Sequence, residues 1–362
     1  MSAMRPVFLH DGALVCSRGL TPAATAEALW RGDAASTQCR VGQQSFPFQA
    51  LPLPEAGWWE HAQTAFRHLA GQLPDLPDDL PLFLASSSFD IGGIEAGGAP
   101  FSLPAGSAAF ACQIGEWLGL SGPRSSYANA CISGFSALDA AATLIANGLI
   151  DDALVLGFEL ANRTTMAGFA SMELLSRDAS RPLDRDRDGL VLGEGIAAIR
   201  LSATPSEWRL AGLRTGLDTH TPTGPDPSGG PIAALLAETL AAAGMSSGDI
   251  DLVKLQAAGS PVSDLAEAMA LMQVFGQTLP PLLSLKPALG HTLGASGIVE
   301  LVALLACLKH DQIPETSGFR HADTQFSTVF PVHRSTRPIR RPMLNLIGFG
   351  GGLASMILER EA

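Results

Sequence analysis

The sequence predicts an α/β protein made of two related halves, and two observations carry that prediction. Short apolar runs of strand length alternate with longer apolar helices along most of the chain, the pattern of mostly parallel, buried sheets. Two element types also recur in the same order at nearly the same spacing. Gly193–Leu201 (GEGIAAIRL) returns as Gly350–Leu358 (GGGLASMIL), 157 residues on. Cys131-x-x-Gly134, which opens an apolar helix, returns as His291-x-x-Gly294, 160 residues on. A duplicated βαβ-type unit leaves such a pattern. The boundary is expected at Ala203–Trp208, where TPSEW interrupts it, giving halves 1–203 and 204–362.

The elements follow in order. Leu80–Ser86 (LPLFLAS) comes after a Pro- and Asp-rich stretch and reads as a buried strand. Phe135–Ala146 is Ala-rich and helical, with Gly148 placed as its C′ residue. Asp152–Gly157 is a strand, and Leu190–Leu201 reads as a two-strand element around a glycine turn. In the second half Pro231–Ala243 is helical, Ile250–Gln256 a strand and Asp264–Phe275 a helix. Gly297–Leu308 is a buried helix, and Leu344–Leu358 a strand pair interrupted by glycines. Asp226–Gly230 (DPSGG) is a loop.

Composition narrows the function classes. The chain has 362 residues, 46% hydrophobic and 16% charged, enough to bury a large core and too apolar for disorder. Its net charge of −12 argues against nucleic-acid and anionic-membrane binding. Five cysteines without CxxC spacing suggest neither a disulfide framework nor a zinc site, and no metal is expected. His10 and Asp11 interrupt the apolar run that a secretory leader needs, and Glu300 interrupts the longest apolar helix. A cytoplasmic protein without a membrane span is expected.

Three segments carry residues suited to chemistry. Ala128-Asn-Ala-Cys-Ile-Ser-Gly134 places Cys131 at the start of an apolar helix. There the orphan N–H groups and the positive dipole end lower a thiol's pKa, making a nucleophile. The alternative is a buried structural cysteine. Only three of the 23 basic residues are lysines: Lys254, Lys286 and Lys309. Lys286 stands five residues before His291, which is flanked by Gly290, Gly294 and Gly297. A neighbouring cation keeps an imidazole neutral and suited to proton transfer, although a lone histidine is also a common structural residue. Arg181–Asp188 packs six charges ahead of a glycine turn, either as a solvated loop or as a buried ion-pair latch.

Together these residues resemble the β-ketoacyl-acyl-carrier-protein synthases, the elongating condensing enzymes of the thiolase superfamily. Ala130-Cys131 with Gly134 is similar to the nucleophile motif. Arg181-Pro-Leu-Asp184 through Gly193-Glu-Gly195 is similar to the RPFD…RDG…GEG segment. Lys286…Gly290-His291…Gly294-Ala295 is similar to the K…GH..GA motif, and Asn345…Gly348-Phe-Gly-Gly351 to the N.FGFGG turn. Leu14–Gly32 resembles the family's opening helix segment. The matches run in order over nearly the whole chain.

The resemblance implies a five-layered αβαβα thiolase fold with two pseudo-symmetric halves, and a homodimer or heterodimer. It implies decarboxylative condensation of acyl and malonyl thioesters carried on the phosphopantetheine of acyl carrier protein, with no other cofactor. Cys131 would take the acyl chain, the N–H groups of Cys131 and Phe349 would form the oxyanion hole, and Lys286 and His291 would serve the enolate step. Glu300, Gly290 and Gly350 would support them.

One departure stands out. The family's second catalytic histidine lies in N-A-H-G-T-S-T-P, which reads here Gln256-Ala-Ala-Gly-Ser-Pro261, with Ala258 at the histidine's place. The chain also looks shorter between Phe89 and Cys131, where the family's dimer and acyl-tunnel contacts lie. Two readings follow. One is a chain-length-factor-like subunit, as in aryl-polyene pathways, paired with a complete ketosynthase. The other is an autonomous synthase acting through Cys131 and His291. Arg334, Arg337, Arg340 and Arg341, in a stretch without acids, are expected as a carrier-protein docking patch.

Overall fold

Ten strands make one mixed sheet that consists of two five-stranded units joined edge to edge. The computed structural model describes residues 4–97, 103–326, 328, 329, 331 and 333–361. The strands in chain order are β1 (Phe8–Cys16), β2 (Leu82–Ala85), β3 (Arg124–Tyr127), β4 (Asp152–Glu159) and β5 (Gly195–Ser202), then β6 (Trp208–Leu217), β7 (Leu252–Lys254), β8 (Leu282–Leu283), β9 (Pro342–Ile347) and β10 (Gly352–Arg360). The first unit runs β3-β2-β4-β5-β1 and the second β8-β7-β9-β10-β6.

Strand for strand the two orders are the same, and so are the directions. The first three strands of each unit are parallel, and the last two antiparallel. The units meet where Phe8 and Leu9 of β1 pair with Arg209 and Trp208 of β6.

Strand alternation builds the layers. On β4, Ala153 and Val155 face the central core, whereas Leu154, Leu156 and Phe158 face the outer helices α1 (Trp58–Ala70) and α2 (Leu103–Trp117). On β10, Ala354, Met356 and Leu358 face the central core, whereas Leu353 and Ile357 face α4 (Gly230–Ala243) and α5 (Pro261–Phe275). The centre is filled by α3 (Ser133–Ala146) and α6 (Ser296–Leu308). The result is five layers, helix–sheet–helix–sheet–helix. Helices α3 and α6 cross at Gly134 and Gly297, where a Cβ on Gly134 would lie 3.1 Å from the Gly297 Cα, a contact so tight that the backbone would have to give.

The structure corrects two sequence readings. Leu192–Gly193 and β5 do not form a hairpin. Leu192–Gly193 pairs with Phe48–Gln49 in a small side sheet, and the turn between them buries Glu194, whose carboxylate accepts the N–H groups of Leu51 and Ala161. The 157-residue repeat matches β5 to β10 as expected, but the helix repeat has the wrong register. The 3₁₀ turns Ala130–Ile132 and Leu293–Ala295 lead into α3 and α6 and share a strained positive φ at Ala130 (48°) and Leu293 (43°). The counterpart of Cys131 is therefore Gly294, not His291. Two glycine-bounded motifs of equal spacing looked equivalent because sequence spacing carries no information about backbone conformation.

Among the described residues, no helix is long and apolar enough to cross a membrane.

Candidate active site

Each functional side chain sits where a strand or helix ends at one edge of the two-unit sheet. Cys131 lies in the turn that opens α3, and the segment after β9 brings Gly348 and Phe349 over it. A Cβ on Gly348 would be 3.3 Å from the Cys131 N, so the two backbones pass closely here. His291 precedes α6, held by its N–H to the Val191 carbonyl (2.7 Å). The two halves thus meet at one pair: Cys131 Sγ lies 3.0 Å from His291 Nε2, and both residues are buried.

The protonation states are set by burial. The Cys131 thiol is pushed up to about 11 by burial, against the Lys286 ammonium and the Phe349 N–H, which favour the thiolate. This corrects the expectation that a helix N-terminus alone would make a thiolate. Complete burial costs the anion more than the helix end and its N–H groups return. Burial, then Lys286 and Lys254, holds His291 well below its ordinary value, so the imidazole is neutral. The network then assigns the tautomer: Nε2 accepts the Cys131 S–H, and Nδ1–H donates to Ser296 Oγ (2.9 Å).

A charged cluster lies beside this pair. Lys286 is ion-paired to Glu300 Oε1. Lys254 approaches Glu300 Oε2 at 2.5 Å and donates to the Asn345 carbonyl at 3.3 Å. All three side chains are 1% exposed or less. Gly290 caps the turn Lys286–Leu289 with φ 77° and donates to the Lys286 carbonyl, and Gly350 donates to the Pro222 carbonyl. These are the positions expected to support the site.

The segment carrying Ala258 is rigid. Glu267 accepts the N–H groups of Gln256 and Ala257, and Asp264 those of Ala258, Gly259 and Leu183. Burial raises Asp264 to about 6 and Glu267 to about 7. The charge run ahead of β5 forms a partial latch against Arg320–Asp323. Asp184 accepts the N–H groups of Arg320 and His321, and Arg187 pairs with Asp323 at 2.6 Å, while Arg185 and Asp186 remain exposed. Ser180 donates to the Ala258 carbonyl. Asp184, Asp186 and His321 cluster closely enough to hold an ion, but Asp184 is already used by backbone N–H groups.

Around Cys131 and His291 opens a cleft of ≈ 560 Å³, lined by Phe169, Leu190, Gln256, Ala258, Ile347 and Phe349 among others. The Phe349 ring stacks on Phe169 at 5.4 Å. At Ala258 the cleft holds a methyl group where the resemblance calls for an imidazole. His220 also lines it but is exposed at the mouth.

Sequence reasoning missed Lys254, Ser296, Gln256 and Phe169 as site residues. For Lys254, Gln256 and Ala258 the signal was present. They alternate along one extended segment with Val253, Leu255 and Ala257, which face the core behind it.

The arginine patch is not confirmed as a docking surface. Acids distant in sequence meet it: Asp251 accepts the N–H groups of Arg340 and Arg341, and Arg341 pairs with Glu359 and Asp249. Arg334 lies over the Trp30 ring, and Arg337 donates to the Asp251 carbonyl. Arg337–Arg341 also precedes β9, whereas the cleft follows it, a separation of about 20 Å along a six-residue strand.

The family described as Beta-ketoacyl synthase, N-terminal domain, matches residues 88–205, and Beta-ketoacyl synthase, C-terminal domain, matches residues 209–320. The chain belongs to the β-ketoacyl synthase family. A 3-oxoacyl-[acyl-carrier-protein] synthase 2 of Mycobacterium tuberculosis is 33% identical over 241 residues, 62% of this chain and 58% of that protein. The chain thus spans little more than half the length of that synthase. Two solved structures share the fold over 99% of the chain. One is the ketosynthase (ApeO) in complex with its chain length factor (ApeC) from Xenorhabdus doucetiae, with TM-score 0.86, 21% identity and 98% of that chain covered. The other is AntDE:AntF, a type II polyketide acyl-carrier protein in complex with its ketosynthase, with TM-score 0.86, 19% identity and 100% covered.

With the family known, the site's chemical capacity can be stated. His291 Nε2 is placed to take a proton from the Cys131 thiol, and the Phe349 N–H lies close to the sulfur. A second imidazole on the opposite wall, at Ala258, is absent.

Proposed function

We propose that this chain is the chain-length-factor-like subunit of a ketosynthase heterodimer that extends carrier-protein-bound acyl chains by decarboxylative condensation with malonyl thioesters. The observation that carries the proposal is the rigid segment at Ala258. Its backbone is fixed by four N–H bonds, from Gln256 to Gly259, to two buried carboxylates, yet it offers a methyl group to the cleft. Loss of one donor of this kind costs about 10²–10³ in rate. The acylation half of the chemistry is present, and half of the decarboxylation equipment is missing. The solved ketosynthase–chain length factor complex, matched over almost its full chain, is the analogy that supports a partner role. Strand β3, which pairs only with β2 among the described strands, is the edge on which a partner's strand would add.

The alternative, an autonomous synthase, is favoured by the 3.0 Å contact between Cys131 and His291. Co-expression with a complete ketosynthase separates the two. In the partner reading, Cys131→Ala leaves condensation by the complex within about tenfold of wild type, less than roughly 1.4 kcal/mol of barrier. A larger loss with the dimer intact assigns the chemistry to this chain.

A further inference from the structure

Four donors converge on Glu159, the last residue of β4, which is buried to 2% exposure. Its Oε2 accepts the N–H groups of Ser87 (2.9 Å) and Gly294 (3.1 Å). Its Oε1 accepts the N–H of Ser88 (3.1 Å) and the Ser88 hydroxyl. Ser86–Ser88 follows β2 in the first half, and Gly294 lies in the turn before α6 in the second. One carboxyl group thus joins the two halves. Their backbones touch at this junction, since a Cβ on Gly294 would lie 2.4 Å from the Ser87 N.

Both reactive turns depend on this junction. Leu293 (φ 43°) precedes Gly294, and Ala130 (φ 48°) precedes Cys131. A non-glycine residue keeps such a conformation only where its surroundings over-determine it. Glu159 supplies the restraint at Gly294. Ser87 carries it to the other turn, where its hydroxyl donates to the Ala130 carbonyl at 3.4 Å. His291 lies just before Leu293, and Ser296, whose hydroxyl meets His291 Nδ1 at 2.9 Å, lies just after Ala295. The turn that Glu159 holds therefore carries the imidazole at one end and its orienting hydroxyl at the other. Burial raises Glu159 to about 7, but Oε2 accepts both N–H groups whether or not Oε1 carries a proton toward the Ser88 hydroxyl.

We propose that Glu159 is a positioning residue for the Cys131–His291 pair: by accepting the N–H groups of Gly294 and Ser87 it fixes the two turns, one from each half, that set the sulfur against the imidazole. It touches neither reacting atom. The inference concerns activation of the thiol and holds whether this chain condenses alone or beside a partner.

The test separates positioning from mere cross-linking of the halves, which would change stability and leave the chemistry of the folded protein alone. The full chain is treated with iodoacetamide at neutral pH, well below its melting temperature, and modification of Cys131 is followed by mass spectrometry. Glu159→Leu, of similar size but with no acceptor, is expected to slow labelling at least about tenfold, less than a misplacement of about 1 Å can cost. In the His291→Ala background, where the base is gone, the same substitution is expected to change the rate less than about twofold, because the two residues act as one unit. Glu159→Gln keeps an oxygen for Ser87 and Gly294 and a donor for the Ser88 hydroxyl, and is expected to stay within about threefold of wild type. An unchanged or faster rate in Glu159→Leu, equal slowing in both backgrounds, or a loss in Glu159→Gln as large as in Glu159→Leu overturns the proposal. If Glu159→Leu does not fold, Ser87→Ala decides. Cutting the link to Ala130 is expected to slow labelling at least about threefold with His291 present and not in its absence, and an unchanged rate overturns the proposal.

Discussion

The sulfur of Cys131 and the Nε2 of His291, 160 residues apart in sequence, lie 3.0 Å apart, one from each pseudo-symmetric half. They are not symmetry mates. The counterpart of Cys131 is Gly294, whose N–H is taken by Glu159 at 3.1 Å, so only one of the two equivalent turns carries a reactive side chain.

The 3.0 Å contact makes His291 the expected base for the thiol. With the thiol pushed up to about 11, alkylation of Cys131 near neutral pH depends on proton transfer to Nε2. His291→Ala is expected to slow iodoacetamide labelling of Cys131 at least about tenfold, within the range of general-base effects. Mass spectrometry of the Cys131 peptide over time checks it.

The buried carboxylate Glu267 makes stability fall with rising pH. Burial raises it from an ordinary 4.5 to about 7, so its favourable contribution is complete below about 4.5 and lost as pH rises through 7. In urea unfolding, wild type is expected to lose at least about 1 kcal/mol relative to Glu267→Gln between pH 5 and pH 8. Parallel pH curves for the two proteins would contradict this.

The crossing of α3 and α6 takes a methyl group only if backbone shifts. A Cβ on Gly134 meets the Gly297 Cα and the Ile298 N, both at 3.1 Å, and neither is a flexible side-chain end. Gly134→Ala is expected to destabilise the fold by about 1–3 kcal/mol, measured as a lower urea midpoint.

The arginine stretch is expected not to bind carrier protein. Arg340 is exposed, but its segment is pinned to Asp251 at the end of β9 away from the cleft. Arg340→Glu is expected to change carrier-protein affinity less than about twofold, within the spread of rim charges. Calorimetry or fluorescence anisotropy with the acyl-loaded carrier reads it, and a tenfold weakening would restore the patch as a docking surface.

The sequence by itself determined the α/β class, the existence of two related halves, the strand and helix identities through most of the core and the candidate pair Cys131 and His291. It could do so because these depend on local properties: apolar runs of characteristic length, glycines at turns, and residue types with few uses. The TPSEW interruption lies between β5, which ends at Ser202, and β6, which begins at Trp208. Only the tertiary structure decided what depends on neighbours from distant segments. It set the Cys131 thiol high, because burial outweighs a helix end. It brought Asp249 and Glu359 to Arg341 and pinned the arginine stretch's backbone to Asp251, acids that lie far from it in sequence. It matched Cys131 to Gly294, because equivalence follows backbone conformation and not spacing. It gave Lys254 a place beside Glu300, because a buried charge acquires its meaning from the charges that burial brings within reach.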